Sequence, residues 1–199
     1  MVKVLVASRN PGKVRELDQV LRELAIGGVE LVSLDQAPAY PDPVEDGLSF
    51  EENAVLKARV GAAATGLPCV ADDSGLSVEA LNGMPGILSA RWSGNHGDDA
   101  GNNALLLKQM EDINQRRAAF VSCCALATPE GDVHVAEGRW EGELLREPRG
   151  DNGFGYDPLF APDDAPGRSS AELTSEEKNA RSHRGKALRE LAKHIAALK

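Results

Sequence analysis

Apolar residues along this chain alternate between two spacings. Val2–Ala7 form an almost unbroken apolar run, which predicts a buried strand. From Val14 the apolar positions fall at 14, 17, 21 and 24, a helical spacing, with Asn10 suited to the N-cap and Pro11 to the first helical position. A short strand is expected at Val29–Leu34, and the segment "YPDPVEDGLSF" reads as an exposed loop. Ser49-Phe50-Glu51-Glu52 has the S-x-x-E form of a capping box and predicts a helix from Phe50 to Ala64, stopped by "TGLP". Cys69–Ala71 is the next strand, and the glycine-rich stretch 75–97 predicts turns and short strands.

The second half follows the same logic. "DDAGNNALLLKQM" reads as a helix and Ala118–Thr128 as a long apolar strand. Across the turn "PEGD", Val133–Ala136 returns as its hairpin partner, and Arg139–Leu145 is expected as a third antiparallel strand. "GDNGFGYDPLF" is a glycine-rich loop running into a short apolar stretch. Thr174-Ser175-Glu176-Glu177 is a second capping box, and apolar residues at 188, 191, 195 and 198 mark the last helix. Early alternation of strands and helices, with antiparallel strands gathered in the middle, predicts an α/β fold with a mixed sheet.

Composition narrows the picture. The 199 residues suit a single domain, 1–199, and the 4% aromatic content predicts an aliphatic core. A net charge of −9 argues against a nucleic-acid-binding face, although a local cluster of Lys and Arg could still hold a small polyphosphate. The opening apolar run is too short for a signal segment or a membrane span, so no membrane partner is expected. Cys69, Cys123 and Cys124 show neither zinc spacing nor a disulfide framework, and reduced thiols in a cytoplasmic protein are expected.

Four stretches carry candidate chemistry. In "SRNPGK" a strand hands over to a helix whose free N–H groups attract anions, with Ser8 and Asn10 as short polar groups and Lys13 one turn in; the alternative is an ordinary cap. In "CVADDSGL" the adjacent carboxylates Asp72 and Asp73 stand at a strand's carboxyl end, where open α/β sheets place ligands. Strand alternation sends them opposite ways, so one can meet Mg²⁺ and the other brace a loop; a plain turn is the competing explanation. Glu45, in a loop, could complete a metal site, and Asn53 and Lys57 share a helix face that serves the same cleft or is merely solvated. Phe154, between glycines in "GFGYDP", offers a ring for a base to stack on or a plug for the core. "EEKNARSHRGKA" gathers Lys178, Arg181, His183, Arg184 and Lys186, with Gly185 interrupting the helix and Ser182 placed to start another.

Taken together and in order, "SRNPGKVREL", "SFEENAVLKA", "ADDSGL", "GILSAR", "FGYDPLF" and "AELTSEEKNARSHRGKAL" resemble the inosine/xanthosine triphosphate pyrophosphatase family, over nearly the whole chain. The resemblance implies an elongated mixed sheet flanked by helices, with two lobes and a central cleft. It implies a cytoplasmic homodimer that uses Mg²⁺ to hydrolyse ITP, dITP or XTP to the monophosphate and pyrophosphate. Asp73 would be the proton acceptor and, with Glu45, a metal ligand. Substrate contacts would come from Ser8, Arg9, Asn10, Pro11, Gly12, Lys13, Asn53, Lys57, Ser74, Phe154, Gly155, Tyr156, Asp157, Lys178, His183 and Arg184. Donors from Lys178, His183 or Arg184 would favour 6-keto purines. Arg9 departs from the family pattern, which usually has a small residue there. A catalytically silent nucleotide-binding protein and a Maf-like pyrophosphatase are the alternatives.

Overall fold

The computed structural model describes residues 1–198; Lys199, the last residue of the expected domain, lies outside the described residues. The elements are β1 (Val2–Val6), α1 (Pro11–Glu23), β2 (Val29–Ser33), α2 (Phe50–Thr65), β3 (Cys69–Val78), α3 (Asp99–Gln109), β4 (Arg117–Ala127), β5 (Val133–Leu144), β6 (Phe160–Pro162), α4 (Ser175–Arg181) and α5 (His183–Ala196). They form a mixed six-stranded sheet in the order β2-β1-β3-β4-β5-β6. β1 pairs in parallel with β2 and with β3, and β5 pairs antiparallel with β6.

The caps fall where the sequence puts them. Asn10 accepts the Gly12 N–H at 2.8 Å and Pro11 opens α1. Ser49 accepts the Glu52 N–H at 3.1 Å, but the Glu52 carboxylate reaches one residue further back, to the Leu48 N–H. Thr174 and Glu177 complete a reciprocal capping box, and the helical run breaks at Ser182, separating α4 from α5.

Four expectations change. Gly185 does not interrupt a helix: the break comes at Ser182, and Gly185 lies inside α5. The strand beginning at Cys69 does not stop at Ala71: β3 runs ten residues, through both aspartates and Gly75. β5 is one strand of twelve residues, not a hairpin arm followed by a separate strand. Four of the eight aromatic residues lie in one buried cluster, so the core is only partly aliphatic.

The chain divides into two compact units, and the boundaries fall at 73/74, 121/122, 138/139 and 183/184. Unit 1 comprises Met1–Asp73, Ser122–Gly138 and the chain from Arg184. Val4–Val6 of β1, Cys69–Ala71 of β3 and Cys123–Ala127 of β4 are apolar on both faces, as expected where a strand is covered on both sides. Val4, Val6, Val70, Cys124 and Leu126 pack with Leu17 and Leu21 of α1 and Leu188, Leu191 and Ile195 of α5. The intervening residues Leu5, Cys69, Ala71, Cys123 and Ala125 pack with Ala54, Ala58 and Ala62 of α2. That helix presents small residues to the sheet; a Cβ on its Gly61 would come within 3.2 Å of Leu5 Cδ2 and 3.1 Å of the Tyr40 hydroxyl. Unit 2 comprises Ser74–Val121 and Arg139–His183. Its core joins Leu76, Leu106, Met110 and Leu173 to Phe120, Trp140, Tyr156 and Phe160. The Phe120 and Phe160 rings meet edge to face at 4.6 Å, an arrangement aromatic quadrupoles favour.

Candidate active site

The two aspartates of β3 inherit the alternation of the strand beneath them. Asp72 continues the Val70 face, toward α1 and α5; Asp73 continues the Ala71 face, toward α2. Each therefore meets a different set of side chains in unit 1.

Asp72 is buried, and Lys13 Nζ donates to both its carboxylate oxygens at 2.8 Å. Arg184 Nε donates to Asp72 Oδ2 at 3.2 Å while its Nη1 donates to Glu16 Oε2 at 3.1 Å. Burial alone would favour the neutral acid, but Lys13 and Arg184 outweigh it and hold the Asp72 carboxyl well below the usual range. Burial likewise disfavours the Arg184 cation, and Asp72 and Glu16 more than restore it. The structure thus groups Arg184 with Lys13 in unit 1, while Lys178 and His183 belong to unit 2.

On the other face, Asp73 Oδ2 accepts from Asn53 Nδ2 at 3.0 Å, and Lys57 Nζ lies 3.7 Å from Asp73 Oδ1 and 3.2 Å from Glu45 Oε2. Asn53 also accepts the Gly47 N–H at 2.9 Å, which ties the end of the Glu45 loop to the first turn of α2. Burial raises the Asp73 carboxyl above its ordinary value; Lys57 and Asn53 oppose that, and the charges of Glu45 and Asp72 add to it. Two carboxylates that repel each other around one ammonium form a place where additional positive charge is welcome. Both are hard oxygen donors, and among the described residues no group of three or more His, Cys, Asp or Glu ligands gathers. Mg²⁺ fits that donor set, because it is commonly held by one or two carboxylates with phosphate oxygens and water filling the rest.

At the turn before α1, Ser8 Oγ accepts the Asn10 N–H at 3.1 Å, and Pro11 and Gly12 begin the helix whose N–H groups lead toward Lys13. Arg9 extends outward and pairs with Asp42 at 2.6 Å, joining the turn to the loop that carries Glu45.

Unit 2 holds a second cluster around Asp157, which is almost wholly buried. Its Oδ2 accepts from Lys178 Nζ and from the Phe154 N–H at 2.8 Å, and its Oδ1 accepts from the Ser170 hydroxyl at 2.8 Å. Lys178 Nζ also lies 4.7 Å from the centre of the Phe154 ring, within cation–π range. Phe154 itself is 63% exposed, so its ring is not a core plug. Tyr156 turns inward instead, its hydroxyl donating to the Ser89 carbonyl at 2.8 Å, and burial pushes its phenol upward. The His183 ring stacks on Phe120 at 5.2 Å. Ser74 lies half-buried on β3, immediately after Asp73.

The sequence matches the model of the Ham1 family over residues 4–194. The chain belongs to the Ham1 family. It is 62% identical to the dITP/XTP pyrophosphatase of Mycobacteroides abscessus over 94% of this chain and 91% of that protein. Among solved structures, it is similar to a nucleoside-triphosphatase / dITP/XTP pyrophosphatase from Mycobacterium abscessus, with a TM-score of 0.82 and 60% identity over the whole of both chains. A HAM1 protein from Coxiella burnetii matches with a TM-score of 0.91 at 40% identity, over 99% of this chain and all of that one.

Sequence reasoning missed Glu16, Ser170, and the pair Asp99 and Asn103, which bond the Gly155 N–H and carbonyl. Glu16 lay one turn beyond Lys13, a spacing that shares a helix face. Asp99 and Asn103, four residues apart on α3, also share a helix face. Ser170 carried no local signal, since its partner Asp157 lies across a loop.

Proposed function

We propose that this Ham1-family protein hydrolyses non-standard purine nucleoside triphosphates (ITP, dITP and XTP) to the monophosphate and pyrophosphate. The observation that supports this best is the convergence of Asp73, Glu45, Lys57 and Asn53 on one face of β3, with Lys13 and Asp72 on the other. The names of the close relatives point the same way.

The α1 turn, with Ser8, Asn10, Gly12 and Lys13, suits the triphosphate, and Lys57 adds a second cation. Glu45 and Asp73 would hold Mg²⁺, which when bound supplies charge neutralisation at the phosphate oxygens. Asp73 takes the proton from the attacking water, whose oxygen bonds to the α-phosphorus as the α–β anhydride bond breaks. Lys13 and Lys57 offset the charge that develops on the departing pyrophosphate. Asp72 fixes Lys13 and Arg184 without itself meeting the reacting atoms. Phe154 offers its face to the purine. Lys178 spends one donor on Asp157 and keeps two N–H groups for the 6-keto oxygen of hypoxanthine or xanthine. Adenine presents a donor at that position and leaves the pair unmade, a penalty of about 1–3 kcal/mol.

The test is pyrophosphate release from ITP, dITP, XTP, GTP and ATP, each with Mg²⁺ and with EDTA. Metal-dependent release from the first three supports the reading. Binding of ITP without release would favour a silent nucleotide-binding protein, and a different base preference a Maf-like enzyme. A single catalytic domain built from the two units, acting as a cytoplasmic homodimer, completes the proposal. The three free, buried cysteines suit a reducing compartment, and a monomer mass in light scattering would overturn the dimer.

A further inference from the structure

One turn of α3 grips the loop that carries Phe154. The Gly155 N–H donates to Asp99 Oδ2 at 2.7 Å, and the Gly155 carbonyl accepts from Asn103 Nδ2 at 2.9 Å. The two side chains are four residues apart, so they project from the same helix face and close on one residue from both of its peptide groups. On the other side of the ring, the Phe154 N–H is held by Asp157. The backbone around Phe154 is thus fixed on both sides, by the loop's own Asp157 before the ring and by two side chains of α3 after it.

This restraint is placed where the local sequence is least able to supply its own. Gly153 and Gly155 flank the ring with φ values of 80° and 61°, so both neighbours of Phe154 are residues with wide conformational freedom. The ring is largely exposed, with Lys178 above it as its charged neighbour. An exposed ring on an unrestrained glycine loop would lose conformational freedom on stacking against a base; a loop already held loses little.

We propose that Asp99 and Asn103 are positioning residues that pre-set the Phe154 ring for stacking on the purine. The inference rests on the reading of Phe154 as the base platform. Stacking engages the face of a base and ignores the groups on its edge, so the clasp serves affinity for every purine alike and leaves the choice among purines to other side chains. Its loss therefore weakens substrate binding uniformly, with no change in the chemical step.

Steady-state hydrolysis of ITP, dITP and XTP tests this with the full-length protein. Asp99→Ala, Asn103→Ala and Asn103→Asp each raise KM about fivefold, the worth of one hydrogen bond, with kcat held and the same factor for all three nucleotides. Asp99→Asn stays near wild type, because an amide oxygen still accepts the Gly155 N–H, whereas Asn103→Asp removes the donor its partner needs. In a Phe154→Ala background, Asn103→Ala adds less than about twofold, because the ring through which the clasp acts is gone. Calorimetric titration of ITP in EDTA repeats the ranking without turnover, so a failure of the hydrolytic reading and a failure of the clasp remain distinguishable. Unchanged KM and affinity in both alanine variants, a loss confined to kcat, or a full effect persisting without Phe154 overturns the proposal.

Discussion

Replacing Asp72 by Asn isolates one buried charge with almost no change of shape. The Asp72 side chain is 9% exposed, and its two cationic partners, Lys13 and Arg184, are 24% and 12% exposed. Removing one member of a buried ion pair costs about 3–5 kcal/mol, because the survivor is left uncompensated. Here Glu16 still faces Arg184 and water still reaches Lys13, so the lower end applies, about 3 kcal/mol. With a urea dependence of about 2 kcal/mol per molar, the midpoint of unfolding falls by about 1.5 M at pH 7. The assay is urea denaturation followed by circular dichroism, in EDTA so that metal plays no part. The pH dependence follows from the lowered Asp72 value. Its contribution is complete above about pH 5, where an unfolded-state aspartate is almost fully ionised, and disappears as the pH falls toward the depressed folded-state value. The gap between wild type and variant is therefore constant from pH 8 to about 5 and closes in acid. A midpoint shift below about 0.5 M at pH 7, or a gap that widens in acid, would refute the argument that Asp72 holds these cations by charge.

Three further outcomes are expected. Asp73→Asn keeps the fold and loses about 10²–10⁴ in kcat on ITP, the usual worth of a general base, and near-wild-type turnover would remove Asp73 from that role. Glu45→Gln raises the Mg²⁺ concentration needed for half-maximal rate by about tenfold or more at saturating ITP, and an unchanged requirement would exclude Glu45 as a metal ligand. Burial pushes the Cys69 and Cys123 thiols up to about 12 and Cys124 higher still, so at pH 8 none reacts with a disulfide reagent until the protein is unfolded in urea. Rapid labelling of the native protein would contradict that burial.

The parts of the fold read correctly from sequence are those with local causes. Asn10-Pro11 and Ser49 announce helix starts within four residues of the groups they cap, and β1 shows itself by an apolar run. β3 was cut short because Asp72, Asp73 and Gly75 look like a turn when their neighbours are unknown. The charges that let the strand continue come from Lys13 and Arg184, 59 and 112 positions away in the chain. The same distance hid the division of labour at the site. Strand alternation places Asp72 and Asp73 on opposite faces, but only packing reveals that α1 and α5 serve one and α2 the other. The aromatic cluster of unit 2 was invisible for a related reason: a low aromatic count says nothing of whether the few rings assemble.

Adjacent strands of the sheet also record mutation differently. Every residue of β4 after Arg117 is buried, and most are small: Ala118, Ala119, Ser122, Cys123, Cys124, Ala125 and Ala127. From Ala136 to Leu144, β5 alternates buried and exposed positions, with Glu137, Arg139, Glu141 and Glu143 facing outward. Enlarging a side chain anywhere in β4 meets close-packed neighbours, so the strand offers drift almost no foothold. In β5 every second codon is free to wander. A lineage of such proteins would carry its history as a stripe of period two along one strand, beside another on which little could be written.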